Sequence, residues 1–505
     1  MDNLKVGIIQ RALSYIAEEM GIVLRNSSMS PNIRERLDMS CALLTDDGRI
    51  AAQAEHIPVH LGSLAWASKR ILNAIEAKIG ELGVGDVIIM NDPYLTGTHL
   101  NDVTVITKSP LGWVINKAHH VDVGGPVPGS LNPRARTLYE EGLVIEPTLI
   151  AKSWEVDEKV LNELASQVRV PKVFRSDVKA QIASLREGVR RINELLERYS
   201  KELILNSIDS FIESSRALYS KHLSEFEGIE GFGETILETP LKDVKIGVRL
   251  KIEDDLLKVD FSPTDDEVPL NVNAVEGIPY AATSFFLKAL TVPEGPVDQG
   301  LYDSIDVKTR EGSLLNPHYP AAVGAGNLET SQRALEALLI ALASATDKAP
   351  SCGPGTMANV VISTKNKVYY ETNGGGGSST SREDGENAVQ WGMTNTMNTP
   401  IEVLEQELPI LFLQYRVRRG SGGYGRRKGG DGLIRSWKAL ERIKVTVMMS
   451  RTKYPSPGVK ASPGKPGNVR IVKKQTEYLI GGYDTVELEP DDVFIIETPG
   501  GGGHV

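Results

Sequence analysis

Cysteine is nearly absent from this chain: Cys41 and Cys352 are the two in 505 residues. So sparse a supply excludes a disulfide framework, and neither residue has the CxxC spacing of a thiol redox centre or a thiolate zinc site. Long apolar runs are missing too. No stretch reaches the ~18 apolar residues that a membrane span requires, and Met1-Asp2-Asn3-Leu4-Lys5-Val6 leads into a mixed segment with no secretory apolar core. Together these absences predict a cytoplasmic protein with no membrane partner. Basic charge is scarce as well: the formal net charge is -10, and Arg426-Arg427-Lys428 is a short run of the kind found in solvated loops. Nucleic acids and anionic membranes demand dense Lys/Arg patches for counterion release, so neither is an expected partner.

Two chemistries are excluded by missing motifs. No GxxxxGK[ST] loop occurs, and Gly464-Lys465-Pro466 lacks the hydroxyl residue after its lysine, so the chain is not expected to hold ATP itself. A GxSxG nucleophile elbow is absent, and Cys352, in Pro350-Ser351-Cys352-Gly353-Pro354-Gly355, has no histidine beside it in sequence.

What is present is a globular composition, 41% hydrophobic and 24% charged, in a chain long enough for two or three packed units. Helical spacing covers residues 3 to 20, with Gly21 a plausible stop, and 63 to 80. Strand-like segments at 41–44 and 50–53 flank an Asp47-Gly48 turn, and short apolar runs follow at 87–90, 103–107 and 113–118. Residues 154 to 226 read as a helical hairpin or bundle, with Ser176 and Asp177 as a cap. Strands return at 244–250 and 257–261, helices at 279–291 and 329–345. The last 150 residues alternate short strands with glycine runs such as Asn373–Gly377, Gly429–Gly432 and Pro499–Gly503, which imply tight turns or close backbone approach. The fold class expected is α+β and multi-domain, with antiparallel sheets and a helical insertion. The divisions are 1–153, an α/β region; 154–228, helical; 229–350, α+β; and 351–505, glycine-rich and mainly β.

Five of the eight histidines fall between residues 56 and 120. They sit in Glu55-His56-Ile57-Pro58-Val59-His60, in Thr98-His99-Leu100-Asn101-Asp102 and in His119-His120-Val121-Asp122. A lone HxxD is more often a hydrogen-bonded core pair, but two clusters on one predicted hairpin favour a divalent metal. His99 and Asp102 lie three apart beside a Gly97-containing loop, which lets both side chains point the same way. Strand alternation puts His120 and Asp122 on one face and His119 on the other, which prefers His120 as third ligand. His99, Asp102 and His120, with Glu55 as a fourth ligand, make a His/His/carboxylate set suited to one zinc, manganese or iron ion. His60, His119 and Asp122 are the candidate proton carriers or orienting groups.

Several segments resemble the hydantoinase B/oxoprolinase family nearly end to end. They are Ser30-Pro31-Asn32-Ile33-Arg34-Glu35-Arg36-Leu37-Asp38, Ala52-Gln53-Ala54-Glu55-His56-Ile57-Pro58-Val59-His60-Leu61-Gly62, Asn91-Asp92-Pro93-Tyr94 through His99 and Asp102, Ala118 to Gly125, Gly326-Asn327-Leu328-Glu329-Thr330-Ser331-Gln332-Arg333, Met393-Thr394-Asn395-Thr396 and Glu497 to Gly503. The resemblance implies a B-type subunit that works beside an A-type ATPase subunit in a hetero-oligomer. The A-type subunit would use ATP to phosphorylate the oxygen of a weakly electrophilic carbonyl, and the B-type subunit would carry out the next step at a metal. The family's metal motif falls on His99 and Asp102 with one histidine of the 119/120 pair. Members are similar either to cyclic-amide hydrolases, acting on hydantoins or 5-oxoproline, or to ketone carboxylases. Acetone-type carboxylase subunits tend to be considerably longer, so hydrolysis is the favoured expectation. The alternatives are a ketone carboxylase subunit and a scaffold subunit with a structural metal.

Overall fold

The protein, seen here in a computed structural model, is described over residues 3–505. Its architecture is mixed α+β and multi-domain, as the residue patterns imply. The first sheet has seven strands: β1 (Met39–Leu44), β2 (Ile50–Glu55), β3 (Val87–Met90), β4 (Asp102–Ser109), β5 (Gly112–His119), β6 (Thr148–Lys152) and β7 (Glu155–Val156). Their spatial order is β2-β1-β5-β4-β3-β6-β7. Every pairing in it is antiparallel. The β4/β5 hairpin therefore lies in the interior of the sheet, where strands buried on both faces read as near-continuous apolar runs.

The helix Asn3–Ser27 runs past the expected stop at Gly21. That glycine marks a packing contact: an added Cβ would lie 2.4 Å from the ring of His56. This helix and the 28-residue helix Pro171–Arg198 pack together against β1, β2, β4 and β5. Asp177 is also not a cap. It sits inside the second helix, and its buried carboxylate accepts from the backbone N–H groups of Met29 (2.7 Å) and Ser30 (3.1 Å), tying the end of the first helix to the second.

A second sheet, β8 (Glu230–Leu237), β9 (Val244–Glu253), β10 (Leu256–Asp260) and β11 (Ile305–Lys308), has the order β11-β10-β9-β8, and its β10–β11 pair is parallel. It packs on the helix Ser331–Ala345, which is entered through a π-helical stretch, Gly326–Thr330. Further antiparallel sheets of four and five strands use the chain from Asn359 to Glu497 and enclose a core of their own around Trp437 and Phe494. The glycine runs of this region mostly serve close approach: a Cβ on Gly376 would lie 1.9 Å from the carbonyl oxygen of Gly430, and one on Gly501 2.1 Å from that of Gly377. Among the described residues no helix is long and apolar enough to cross a membrane.

Buried charge joins these parts. Arg333 donates to Glu336 (2.8 Å), Glu238 (3.0 Å) and Ser450 (3.2 Å), and Arg451 also meets Glu336. One test concerns the contact between β8 and its helix. A Cβ at Gly233 would stand 2.1 Å from the Ala337 carbonyl oxygen. Gly233→Ala should therefore cost about 2 kcal/mol through overpacking, read as a lowered denaturation midpoint with an unchanged slope.

Candidate functional site

The loop before β4 is shaped by short-range chemistry. Asp92 caps the turn Pro93–Thr96 by accepting from Tyr94 N, and Gly97 ends that turn with φ +83°. His99 follows, and Asp102 opens β4. In the hairpin register Asp102 pairs directly with His119, and Thr104 with Lys117. Directly opposed residues of an antiparallel pair share a face. Asp102, His119 and Lys117 thus project together from one side of the sheet.

On that side three imidazoles surround one carboxylate. Oδ1 of Asp102 lies 3.1 Å from His99 Nε2 and 3.4 Å from His119 Nδ1, while Oδ2 lies 3.1 Å from His60 Nε2 and 3.4 Å from Asn327 Nδ2. The His99 and His119 rings meet edge to face at 4.9 Å, and His119 stacks on Tyr370 at 4.9 Å with 7° between planes. Asp38, which directly precedes β1, brings Oδ2 to 3.7 Å from His119 Nδ1. All five acidic and imidazole groups are buried. Two sets, His99/Asp102/His119 and Asp38/His60/Asp102, each place their three ligand atoms within 4.8 Å of one another, as holding a metal ion requires.

The protonation pattern fits a cation. His99 Nδ1 lies 3.0 Å from the carbonyl oxygen of Gly324, and a carbonyl only accepts, so Nδ1 carries the hydrogen. His99 Nε2 then faces both Asp102 Oδ1 and His119 Nδ1, where a proton or a bound cation would supply the positive charge between them. Burial opposes charge on His99, but the Asp102 carboxylate outweighs it and the imidazole pKa is raised. Burial also works against the Asp102 carboxylate, yet His99 and His60 hold its pKa well below the usual range. Burial, the largest influence, pushes the His119 imidazole pKa down against the pull of Asp38 and Asp102. Nitrogen and carboxylate donors in this mixture suit zinc, manganese or iron.

The preference for His120 is reversed by the register. Because His119 faces Asp102, alternation turns His120 to the opposite side of the sheet, where Nε2 meets Gln181 Oε1 at 2.9 Å beside Phe174. Asp122 is likewise away from the cluster. Its oxygens accept from Gly124 N, Gly129 N and both the backbone and guanidinium of Arg169, which fixes a turn. His60 does join the cluster, on the Asp102 side. The side chain of Glu55 lies outside the described residues.

Three neighbours were not anticipated. Asp38 closes the Ser30–Asp38 segment, and Asn327 sits within the Gly326–Arg333 segment, so both lay in motifs whose individual side chains carried no spacing signal. Lys117 stands two residues before His119, the same-face spacing of a strand. Its ammonium donates to Thr96 O (2.7 Å) and Thr98 Oγ1 (3.1 Å), and burial pushes its pKa down to about 8 against the pull of Asp102.

The model of the hydantoinase B/oxoprolinase family matches residues 2–504. The chain belongs to that family. An uncharacterized protein of Methanocaldococcus jannaschii is 41% identical over all of this chain and 91% of its own length. The 5-oxoprolinase of Saccharomyces cerevisiae is 35% identical, also over the whole chain, but only 42% of that larger protein is covered. This chain therefore spans about two fifths of the curated 5-oxoprolinases it matches. Among solved structures, the ATP-dependent caprolactamase from Pseudomonas jessenii superposes with a TM-score of 0.90 at 25% identity, over 100% of this chain and 91% of that one. An acetone carboxylase shares the fold at a TM-score of 0.86 and 15% identity, over 99% of this chain and 76% of the other.

The depressed Lys117 pKa has a pH signature. Between about pH 8 and the ~10.4 of a free lysine, the unfolded chain holds a proton that the folded chain has released, so stability rises with pH across that window. Lys117→Met should remove this rise, worth up to about 3 kcal/mol, in unfolding curves of the two proteins recorded at pH 8 and pH 10.

Proposed function

We propose that this chain is the B-type, substrate-processing subunit of an ATP-dependent cyclic-amide hydrolase, acting on a hydantoin or 5-oxoproline-like ring after a separate A-type subunit has phosphorylated the carbonyl oxygen. The observation that carries this reading is the convergence of His60, His99, His119 and Asp38 on the Asp102 carboxylate, with His99 oriented so that its Nε2 faces inward. His99, Asp102 and His119 would hold one divalent ion, with Asp38 and His60 beside them. The comparison supports it from a second side. A Pseudomonas protein named for the B-type half of a D-/L-hydantoinase is 28% identical over 95% of this chain and 85% of its own length, whereas the 5-oxoprolinases are more than twice as long.

An amide carbonyl is a poor electrophile, but with its oxygen phosphorylated the carbon is open to water. The adduct breaks its ring C–N bond as the leaving nitrogen takes up a proton, and a second water cleaves the resulting acyl phosphate to carboxylate and inorganic phosphate. A divalent cation, when bound, would supply positive charge that lowers the pKa of the attacking water and offsets the charge of the phosphoryl group. The protein's own groups do the rest. Gly324 fixes the His99 tautomer, His60 and Asn327 hold the second oxygen of Asp102, and Lys117 partly balances the Asp102 carboxylate in a buried site. Asp38, 3.7 Å from His119 and outside the His99/Asp102/His119 set, would be the carboxylate to accept a proton from the attacking water. The stacked Tyr370 and the Arg36 guanidinium above it, 4.6 Å from the ring centroid, wall the His119 side against bulk water.

Removing a ligand tests the assignment. Asp102→Ala and His119→Ala, purified without a histidine tag, should lose bound metal and lower ATP-dependent turnover with the A-type partner by about 100-fold or more while staying folded. His120→Ala should keep its metal and lose only thermal stability. Turnover by Asp102→Ala at the wild-type rate and metal content would sink the reading, and turnover that depends on bicarbonate would redirect it to ketone carboxylation.

A further inference from the structure

The residue that orients His99 is itself held. The segment 137–141 runs alongside 320–324, joined by a bridge between Thr137 and Ala321 and by Leu138 N to Pro320 O (2.8 Å). At the end of this contact the Glu141 side chain, 1% exposed, turns inward. Its Oε2 accepts from Val323 N at 3.0 Å, and its Oε1 from Gly324 N at 2.7 Å. The carbonyl of that same Gly324 receives His99 Nδ1. Three residues on, Asn327 donates to Asp102. The side chain of Glu141 also explains the absence of one at 324, where a Cβ would lie 2.7 Å from Oε1.

We infer that Glu141 is a positioning residue of the His/Asp site, clamping the backbone N–H groups of Val323 and Gly324 so that the Gly324 carbonyl, in the next peptide unit, selects the His99 tautomer and the following turn presents Asn327 to Asp102. The inference rests on the proposed metal site and adds a residue beyond the ligands. Its physics is that of an outer-sphere partner: the inner group binds well only if the group behind it fixes the ring and the hydrogen. Both oxygens of Glu141 are engaged by separate backbone donors, so an amide cannot replace it. A glutamine keeps one acceptor and turns its NH2 against the other N–H, leaving a buried donor unsatisfied and the Gly324 peptide free to rotate.

The test compares Glu141→Gln with Asp298→Asn in the full chain. Asp298 is an equally buried carboxylate that accepts from Ser215 Oγ (2.6 Å) and Gly300 N (2.7 Å), and neither partner touches His99, Asp102 or His119. Affinity for Zn²⁺ and Mn²⁺ is measured by chelator competition at a temperature where both variants are folded, together with the visible spectrum of the Co²⁺ form. Glu141→Gln should bind each ion about 10–100-fold more weakly and shift the Co²⁺ bands. Asp298→Asn should lose thermal stability and keep wild-type affinity. Affinity of Glu141→Gln within twofold of wild type overturns the inference while leaving the metal site standing, as does equal weakening in both variants. If wild type itself binds neither ion, the site reading falls and the inference with it. Should Glu141→Gln fail to fold, Glu141→Asp, which keeps both acceptors on a shorter arm, must weaken binding at least threefold or the inference is lost.

Discussion

The cross-strand pairing of Asp102 with His119 is the constraint on which the site depends. An antiparallel register has a period of two, so a slip of one residue would turn His119 to the helix-covered face, away from His99 and Asp102. That register is secured on the far side by Asn116 and Gln181, whose side chains bond to each other and to the main chain of the helix and β4. Helix packing on one face therefore decides which histidine meets the carboxylate on the other.

Placing so many polar groups where water is excluded costs stability unless each has a partner. The structure meets that cost with shared partners. One carboxylate serves three imidazoles and an amide, Lys117 lies against a carbonyl and a hydroxyl, and the Arg333–Glu336–Arg451 group joins the helix after the π-helical turn to the C-terminal strands. The same turn supplies Asn327, so the element that anchors the C-terminal half also reaches the site. Such a link gives the two parts of the chain a fixed relation at the point where chemistry is proposed.

The fold was largely legible from residue patterns. The Val87–Met90 run, the Asp47-Gly48 hairpin and the β4/β5 hairpin appear where alternation and turn chemistry put them, because these signals are local. Local signals failed where a distant partner intervened. Gly21 reads as a helix stop but exists to admit His56, and Asp177 reads as a cap but serves backbone donors 147 and 148 residues away. At the buried cluster, the histidine-rich segments and the family motifs contained His60, His99 and Asp102, which the structure brings together. The choice between His119 and His120, and the presence of Asp38, Lys117, Asn327 and Glu141, depended on contacts that sequence spacing does not encode.

Composition and short-range order follow from the amino-acid sequence alone: few thiols, no basic patch, no phosphate loop, strands and helices at set positions, and histidines concentrated in one region. Each of these reflects a residue's own chemistry and that of its near neighbours. Which donors converge was a matter for the tertiary structure, since Asp38, His60, Asp102, His119, Glu141 and Asn327 come from separate segments, and only register and packing bring their atoms to within a few ångströms.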